Sequence, residues 1–453
     1  TGGAGSPVAG ASAAGGPGAA VAAGAGAGPG GGLGSGPTAV TASPRAQADL
    51  TPATFPFDPS AQAALCSGTA GNTASDQGVT PTSITFGNVS GLTGVTAGSL
   101  TQGPEAVQAL FGAIDAAGGI CGRRLRLDVE DDGQDSTKNQ SDVADLAPRV
   151  FAFVGSTSDA DNGGVQVMEQ SRTPDVGFAI NGVRGASPEY WSAGGAPQYA
   201  QGGHPYIYDS LAKGLQAAGN FPTRVAVLSY SIPISADAGQ QFANMFAASG
   251  AVICYTDFSV SPATASLDSD VLQMKSKGCT GVYTTFDVTA NAKLLQAMQR
   301  QNLHPVFAGT TFDGYTPAQI SLAGEQAAQG FEVTLPFVPL ADGNPVLRTY
   351  VSQLKTYEPG KDPSGFGVEA WISAEMLVYA LIKAGHNPTR ASVTAIFDAI
   401  DNWNTGGASA PVTPRLRQPA GPCTVEAVAR GADFVRKWPG TGFFCQGSLI
   451  RVG

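Results

Sequence analysis

From residue 82 onward, apolar positions switch repeatedly between two periods. Ser83–Gly87 (SITFG) reads as a short buried strand. Val107, Leu110, Phe111 and Ile114 then recur at i, i+3, i+4 and i+7, one face of a helix. Pro104 suits the first helical position, and Gly118 with Gly119 supplies the stop. Strands follow at Leu125–Glu130, Arg149–Val154, Val176–Ala179, Val225–Ser229, Gly281–Thr285 and Phe331–Leu335. Helices fit between them at 136–147, 239–249, 289–301 and 370–384. Such alternation, with short glycine-rich turns, predicts an α/β chain of doubly wound parallel sheets wrapped by helices.

The 453 residues exceed one compact core, so two domains plus a tail are expected. The tail is at the front. Residues 1–36 hold 15 Gly and 11 Ala, and the first charge is Arg45. That composition buries too little apolar surface to offset the entropy of ordering, so residues 1–63 read as a disordered Gly/Ala/Pro-rich linker. It is either a flexible tether or a solubilising tail. The chain starts at Thr1, not Met, so an upstream segment, removed or left out, is expected, with a lipid-anchored cysteine just before Thr1 as one option.

The net charge of −10 argues against nucleic acid, whose binding needs a cationic surface. No run of 18 or more apolar residues marks a membrane span. The cysteines fall in neighbouring pairs, Cys66 with Cys121, Cys254 with Cys279 and Cys423 with Cys445. They lack metal or redox spacing, and sequential disulfides in an oxidising compartment are the economical reading, with buried thiols as the alternative. His204, His304 and His386 lie far apart, so no metal site is expected.

Parallel sheets bind ligands at the carboxyl ends of their strands. The segments following the predicted strands are rich in Ser, Thr, Asn and Gly with aromatics interleaved, a composition suited to binding without chemistry. They supply the candidate contacts Ser90, Thr93, Ser156, Thr157, Ser158, Asp159, Ala179, Ile180, Asn181, Tyr230, Phe286, Asp287, Thr311, Phe312 and Asp313. Catalytic readings find little support. Gly87, Gly91 and Gly94 are spaced G-x-x-x-G-x-x-G, not as a dinucleotide fingerprint, and neither Ser156 nor Ser158 sits in a nucleophile elbow. Glu130-Asp131-Asp132 reads as a strand end, with Asp135 or Ser136 capping the next helix. Asp159, Asp161 and Asn162 lack the rest of a calcium loop. No cofactor and no catalytic residue is expected. The run Asp433–Trp438 alternates like a strand and Pro439-Gly440 like a turn, a ribbon closed by Cys423–Cys445.

Several segments stand in the order of a known family: Ile84–Asn88, Gly91-Leu92-Thr93-Gly94, Asp115–Arg124, Leu127–Asp135, Phe153-Val154-Gly155 and Phe366–Trp371. The chain resembles the type I periplasmic binding proteins of branched-chain amino acid ABC transporters, from about residue 64 to 400. The resemblance implies two lobes joined by three crossovers: residues 64–196 with 338–410, and 197–337 with 411–453. It implies a hinged cleft that captures a small molecule, an amino acid or another small polar or aromatic solute, for an ABC importer permease. A monomer on the extracytoplasmic side, secreted or tethered, would follow. It matches Ser156–Asp159 to a carboxylate-binding loop, and places Trp371 either at the cleft or as a helix anchor. Two departures point to a ligand that is not a zwitterion. Phe178-Ala179-Ile180-Asn181-Gly182 stands where S-P-x-A-T is expected, and Thr311 falls where an acid would pair with an ammonium, Asp313 being two residues on. A ligand-sensing domain signalling to a membrane partner shares the same cleft.

Overall fold

The computed structural model describes residues 50–51, 55–94, 96–194, 199–201, 204–416 and 422–453. Helix α1 (Pro59–Leu65) starts where the Asp58 carboxylate accepts the N–H groups of Ser60 and Ala61 at 2.8 and 3.1 Å, with Pro59 in the first turn. Phe55 is buried edge-on against Tyr379, centroids 5.3 Å apart, and Gln62 donates to Glu375. Folded chain therefore begins before the expected linker boundary at residue 63. Glycine-rich composition masked a short anchor of aromatic residues and a capped helix. Residues 1–49 of the expected linker lie outside the described residues.

The first sheet contains β1 (Ser83–Ser90), β2 (Arg124–Asp131), β3 (Phe153–Val154), β4 (Asp175–Val176) and β5 (Tyr190–Trp191), all parallel, in the order β2-β1-β3-β4-β5. Helix α2 (Gln102–Ala116) crosses from β1 to β2. Pro104 is its third residue instead of its first, still within the turn whose N–H groups have no helical partner. The stop at Gly118 and Gly119 is as expected: both have positive φ, and a Cβ on Gly119 would meet the Arg123 carbonyl oxygen at 2.1 Å. Strand β3 is shorter than the expected 149–154, because the N–H groups of Arg149 and Val150 both close back onto Leu146 of the preceding helix.

Beyond β5 the chain crosses to β6 (Tyr199–Gln201), β7 (His204–Tyr208), α3 (Ser210–Ala217), β8 (Arg224–Tyr230), α4 (Pro233–Ala248), β9 (Val252–Val260) and β10 (Gly281–Thr284). Helix α5 (Val288–Arg300), β11 (Phe307–Thr310) and β12 (Glu332–Leu335) complete the parallel part of a second sheet. The chain returns to pack α6 (Pro345–Tyr357) and α7 (Gly365–Ala384) on the first sheet's side, where both contact α2. It crosses a third time to β13 (Val425–Arg430), β14 (Asp433–Trp438) and β15 (Leu449–Arg451). The second sheet runs β14-β13-β12-β11-β10-β8-β9, with β13 and β14 antiparallel. The β13–β14 reversal lies at Gly431-Ala432, and β14 has the expected bounds and ends in a bend at Pro439-Gly440. Strand β15 joins β7 and β6 in a small antiparallel sheet.

Both large sheets share one logic. The order reverses between β1 and β3 in the first and between β8 and β10 in the second, so each has a switch point where strand ends splay and leave a crevice. Helix α7 is the core of the first lobe. It is long and apolar enough to cross a membrane, yet that stretch is wholly buried within the protein. The disulfides join Cys66–Cys121, Cys254–Cys279 and Cys423–Cys445, the sequential pairing expected.

Candidate ligand-binding site

The carboxyl ends of β1 and β3 face those of β8 and β10 across a cavity of about 230 Å³. That is below the ~300–1,000 Å³ of sites for drug-sized ligands, so a small guest fits best. On the first lobe Thr96, Ser99, Asp159, Phe178, Ile180 and Phe366 line it; on the second, Tyr230, Thr285, Asp287, Thr311, Phe312 and Asp313 do. Phe312 packs edge-on against Phe178 and Phe366, centroids 4.7 and 5.1 Å away, so aromatic contact already spans the two lobes.

From this mouth the cavity continues into the second lobe. Its walls there are Ile207 of β7, Leu211 of α3, Ile234 and Phe242 of α4, Tyr283 of β10 and Leu335 of β12. Sequence reasoning missed this shaft. Its residues lie inside strands and helices, and in the chain they are indistinguishable from ordinary core positions.

Three aspartates define the mouth's electrostatics. The Thr96 hydroxyl donates to Asp159 at 2.6 Å. The Tyr230 hydroxyl donates to Asp287 at 2.6 Å, and the same carboxylate caps α5 through the N–H groups of Thr289 and Ala290. The Thr311 hydroxyl donates to Asp313. Burial raises the Asp159 pKa, with the charges of Asp132 and Asp287 adding to it, and burial pushes Asp313 up to about 6. Among the described residues, no Lys, Arg or His lines the cavity.

Asp159, Ile180, Tyr230, Asp287, Thr311, Phe312 and Asp313 are thus brought together. The other candidates are placed elsewhere. Ser90 donates to Asn88 and accepts the Thr157 N–H; Thr157 donates to the Leu100 carbonyl. Ser156 accepts the Val89 N–H, and Ser158 the N–H of Ala160. Thr93 donates to Asp131, and Asn181 caps a short helix through Val183. Ala179 is buried with its N–H on the Tyr190 hydroxyl. Phe286 is a core residue against Tyr230. Trp371 is fully buried, its indole N–H on Gln353 at 2.7 Å, so it anchors its helix and does not reach the cavity. These side chains fasten strand ends to one another, the local alternative open to any Ser, Thr or Asn beside backbone polar groups.

The acids at the end of β2 and the Asp135 cap are structural, as expected, and so is Asp161. Asp131 gathers N–H groups from Leu92, Thr93 and Gly133; Asp132 accepts from Gln134 and Asn139; Asp135 caps the helix at Ser136. Asp161 accepts the N–H groups of Ile180 and Asn181 at 2.8 and 3.0 Å and lies 3.2 Å from Arg184. Arg184 in turn forks onto Asp175 at 2.7 and 2.8 Å. Burial works against its charge, but Asp175 and Asp161 together raise its pKa and keep it cationic.

Residues 83–431 match the family model described as periplasmic binding protein. The chain belongs to that family. A search of curated proteins finds no match. The periplasmic binding protein fold is shared with solved structures at low identity. A fatty acid ABC transporter substrate-binding protein from Thermomonospora curvata is 17% identical with a TM-score of 0.65, over 85% of this chain and 95% of that one. LivJ of Streptococcus pneumoniae, a branched-chain amino acid transporter substrate-binding protein solved with isoleucine, is 12% identical, TM-score 0.64, over 82% and 99%. A putative branched-chain amino acid ABC transporter protein from Rhodospirillum rubrum is 20% identical, TM-score 0.57, over 78% and 100%. The expected α/β fold of two sheet-based lobes joined by three crossings is the fold these proteins share, and the family places the chain on the extracytoplasmic side.

Proposed function

We propose that this periplasmic binding protein captures a small, mainly apolar solute between its lobes and delivers it to an ABC importer. The lobes are residues 64–196 with 338–410 and 197–337 with 411–453. One observation carries the reading: a single cavity takes its lining from the switch points of both sheets. A ligand touching both lobes stabilises their closed arrangement by the difference in contact it makes there, and a transporter can read that state. The names of the structural relatives, which mention isoleucine and fatty acid, fit a cargo with an apolar body. The protein acts as a monomer, with the importer's permease as its partner.

A thermal-shift screen against amino acids, alcohols, amines, fatty acids, sugars and nucleosides tests this. A ligand at a hundred times its Kd stabilises the native state by about 2.7 kcal/mol, which a midpoint reads directly. We expect a saturable shift with at least one apolar solute, lost on Phe312→Ala. Shifts with none of these classes would sink the solute-binding reading.

A further inference from the structure

We propose that the ligand is an amine without a carboxylate: a protonated amino group held among Asp159, Asp287 and Asp313, with a slim apolar body running into the second-lobe shaft. This rests on the solute-binding reading above and names its substrate class.

The first argument is the charge of the lining. Carboxylates come from both lobes, and among the described residues no cationic side chain lines the cavity. Each aspartate has one oxygen engaged. Asp159 takes the Thr96 hydroxyl on Oδ2; Asp287 takes Tyr230, Thr289 and Ala290 all on Oδ1; Asp313 takes Thr311 on Oδ1. The second oxygens of Asp159 and Asp287 take no hydrogen bond from the described residues, and Asp313 also draws on the neighbouring backbone N–H of Gly314, so acceptors remain for the N–H groups of an ammonium.

The second argument is that, on the first-lobe side, the donors beside the strand ends are largely engaged. The N–H groups of Ile180 and Asn181 are spent on Asp161, that of Ala179 on Tyr190, and that of Thr157 on Ser90. The hydroxyls of Ser90 and Thr157 are donated to Asn88 and to the Leu100 carbonyl. An amino acid or fatty acid would bring its anion beside three carboxylates, with neutral hydroxyls such as that of Ser99 and no cationic side chain among the described lining residues to receive it.

The third argument is independent of the acids. The Tyr283 hydroxyl, on a side chain only 1% exposed, lies beside the Thr334 hydroxyl in the shaft, and among the described residues neither makes a hydrogen bond of ordinary geometry. Buried hydroxyls of this kind call for a partner, and in a cavity the polar end of a ligand can supply one. The preferred guest therefore carries an amine at one end and a hydroxyl at the other.

The test is calorimetric titration of the full chain with matched probes: tyramine and phenethylamine, phenethyl alcohol, 3-phenylpropionate, and the amino acids tyrosine and phenylalanine. The proposal expects the amines to bind, tyramine tightest, and the carboxylate-bearing probes not to bind. Asp159→Asn, which keeps the Thr96 contact isosterically, should weaken amines about tenfold or more and phenethyl alcohol by less, because only the amine also loses the attraction between opposite charges. Tyr283→Phe should narrow the gap between tyramine and phenethylamine. Binding of the alcohol or the carboxylates without the amines would overturn the amine assignment and leave solute binding standing. Binding of no probe overturns the assignment, and silence across the wider solute screen as well would overturn the solute-binding reading.

Discussion

Replacing Arg184 with methionine is expected to destabilise the first lobe by about 3–5 kcal/mol, the usual consequence of removing one partner from a buried ion pair. Arg184 is 2% exposed and forks onto Asp175, itself 2% exposed, at 2.7 and 2.8 Å. It also reaches Asp161 at 3.2 Å and the carbonyls of Ser156 and Phe178 at 3.1 and 3.3 Å. Methionine fills much of the stem's volume but donates nothing. Among the described residues Asp175 has no other side-chain hydrogen bond, so its carboxylate would be buried alone; Asp161 keeps the N–H groups of Ile180 and Asn181. Replacing both partners by apolar groups is close to neutral in general, so Arg184→Met with Asp175→Leu should recover at least half of the loss. Urea unfolding followed by tryptophan fluorescence is a suitable assay, because Trp191 pairs with β4 next to Asp175. With a denaturant slope of about 3 kcal/mol/M, the midpoint of the single variant falls by roughly 1–1.7 M. A midpoint within about 0.3 M of the parent, or a double variant no more stable than the single one, would refute the reasoning. Ligand affinity should fall too, since the same network holds Ile180 at the cavity wall.

Three further outcomes follow from other contacts. Gly214→Ala would bring a Cβ to 1.5 Å from the Trp438 ring, and thermal unfolding should show a loss of about 1–3 kcal/mol from the forced shift of that ring. Cys254→Ala with Cys279→Ala opens a loop with a sequence separation of 25, and in the loop-entropy account this costs about 3–4 kcal/mol, readable by comparing urea midpoints. Among the described residues neither carboxylate oxygen of buried Glu369 has a hydrogen-bond partner, and burial pushes its pKa up to about 8. The folded state then holds a proton that the unfolded state has lost, so this group's stabilising effect is complete at low pH and declines as pH rises from about 4.5 to 8. Glu369→Gln should flatten the stability–pH profile across that window, and an unchanged slope would show that the carboxyl is paired.

The element order was readable in the chain because periodicity, caps and glycine stops act within a few residues. Gly118-Gly119 and the α2 face are of that kind, and so are Asp58-Pro59, a local signal overridden by the composition around it. Strand β9 left no comparable trace. It is an edge strand, mostly half-exposed, so its side chains never had to alternate. The mouth of the cavity was partly legible, since parallel topology sends Asp159, Tyr230, Asp287 and Phe312 to the ends of strands wherever the lobes come to rest. The neighbouring hydroxyls of Ser90, Ser156, Thr157 and Ser158 carried the same signal, but only packing decided that the first three would be engaged around the ends of β1 and β3 and the last within its own loop. The shaft was invisible for the converse reason. Ile207, Leu211, Phe242 and Tyr283 are separated widely in the chain, and whether they close into solid core or leave a channel depends on how α3 and α4 seat on the sheet. The sequence by itself determined the alternation of strands and helices, the cysteine pairs and the loops that must border a cleft. The tertiary structure alone decided which donors stay free, which wall is hollow and where uncompensated charge collects, because those depend on contacts between residues far apart in the chain.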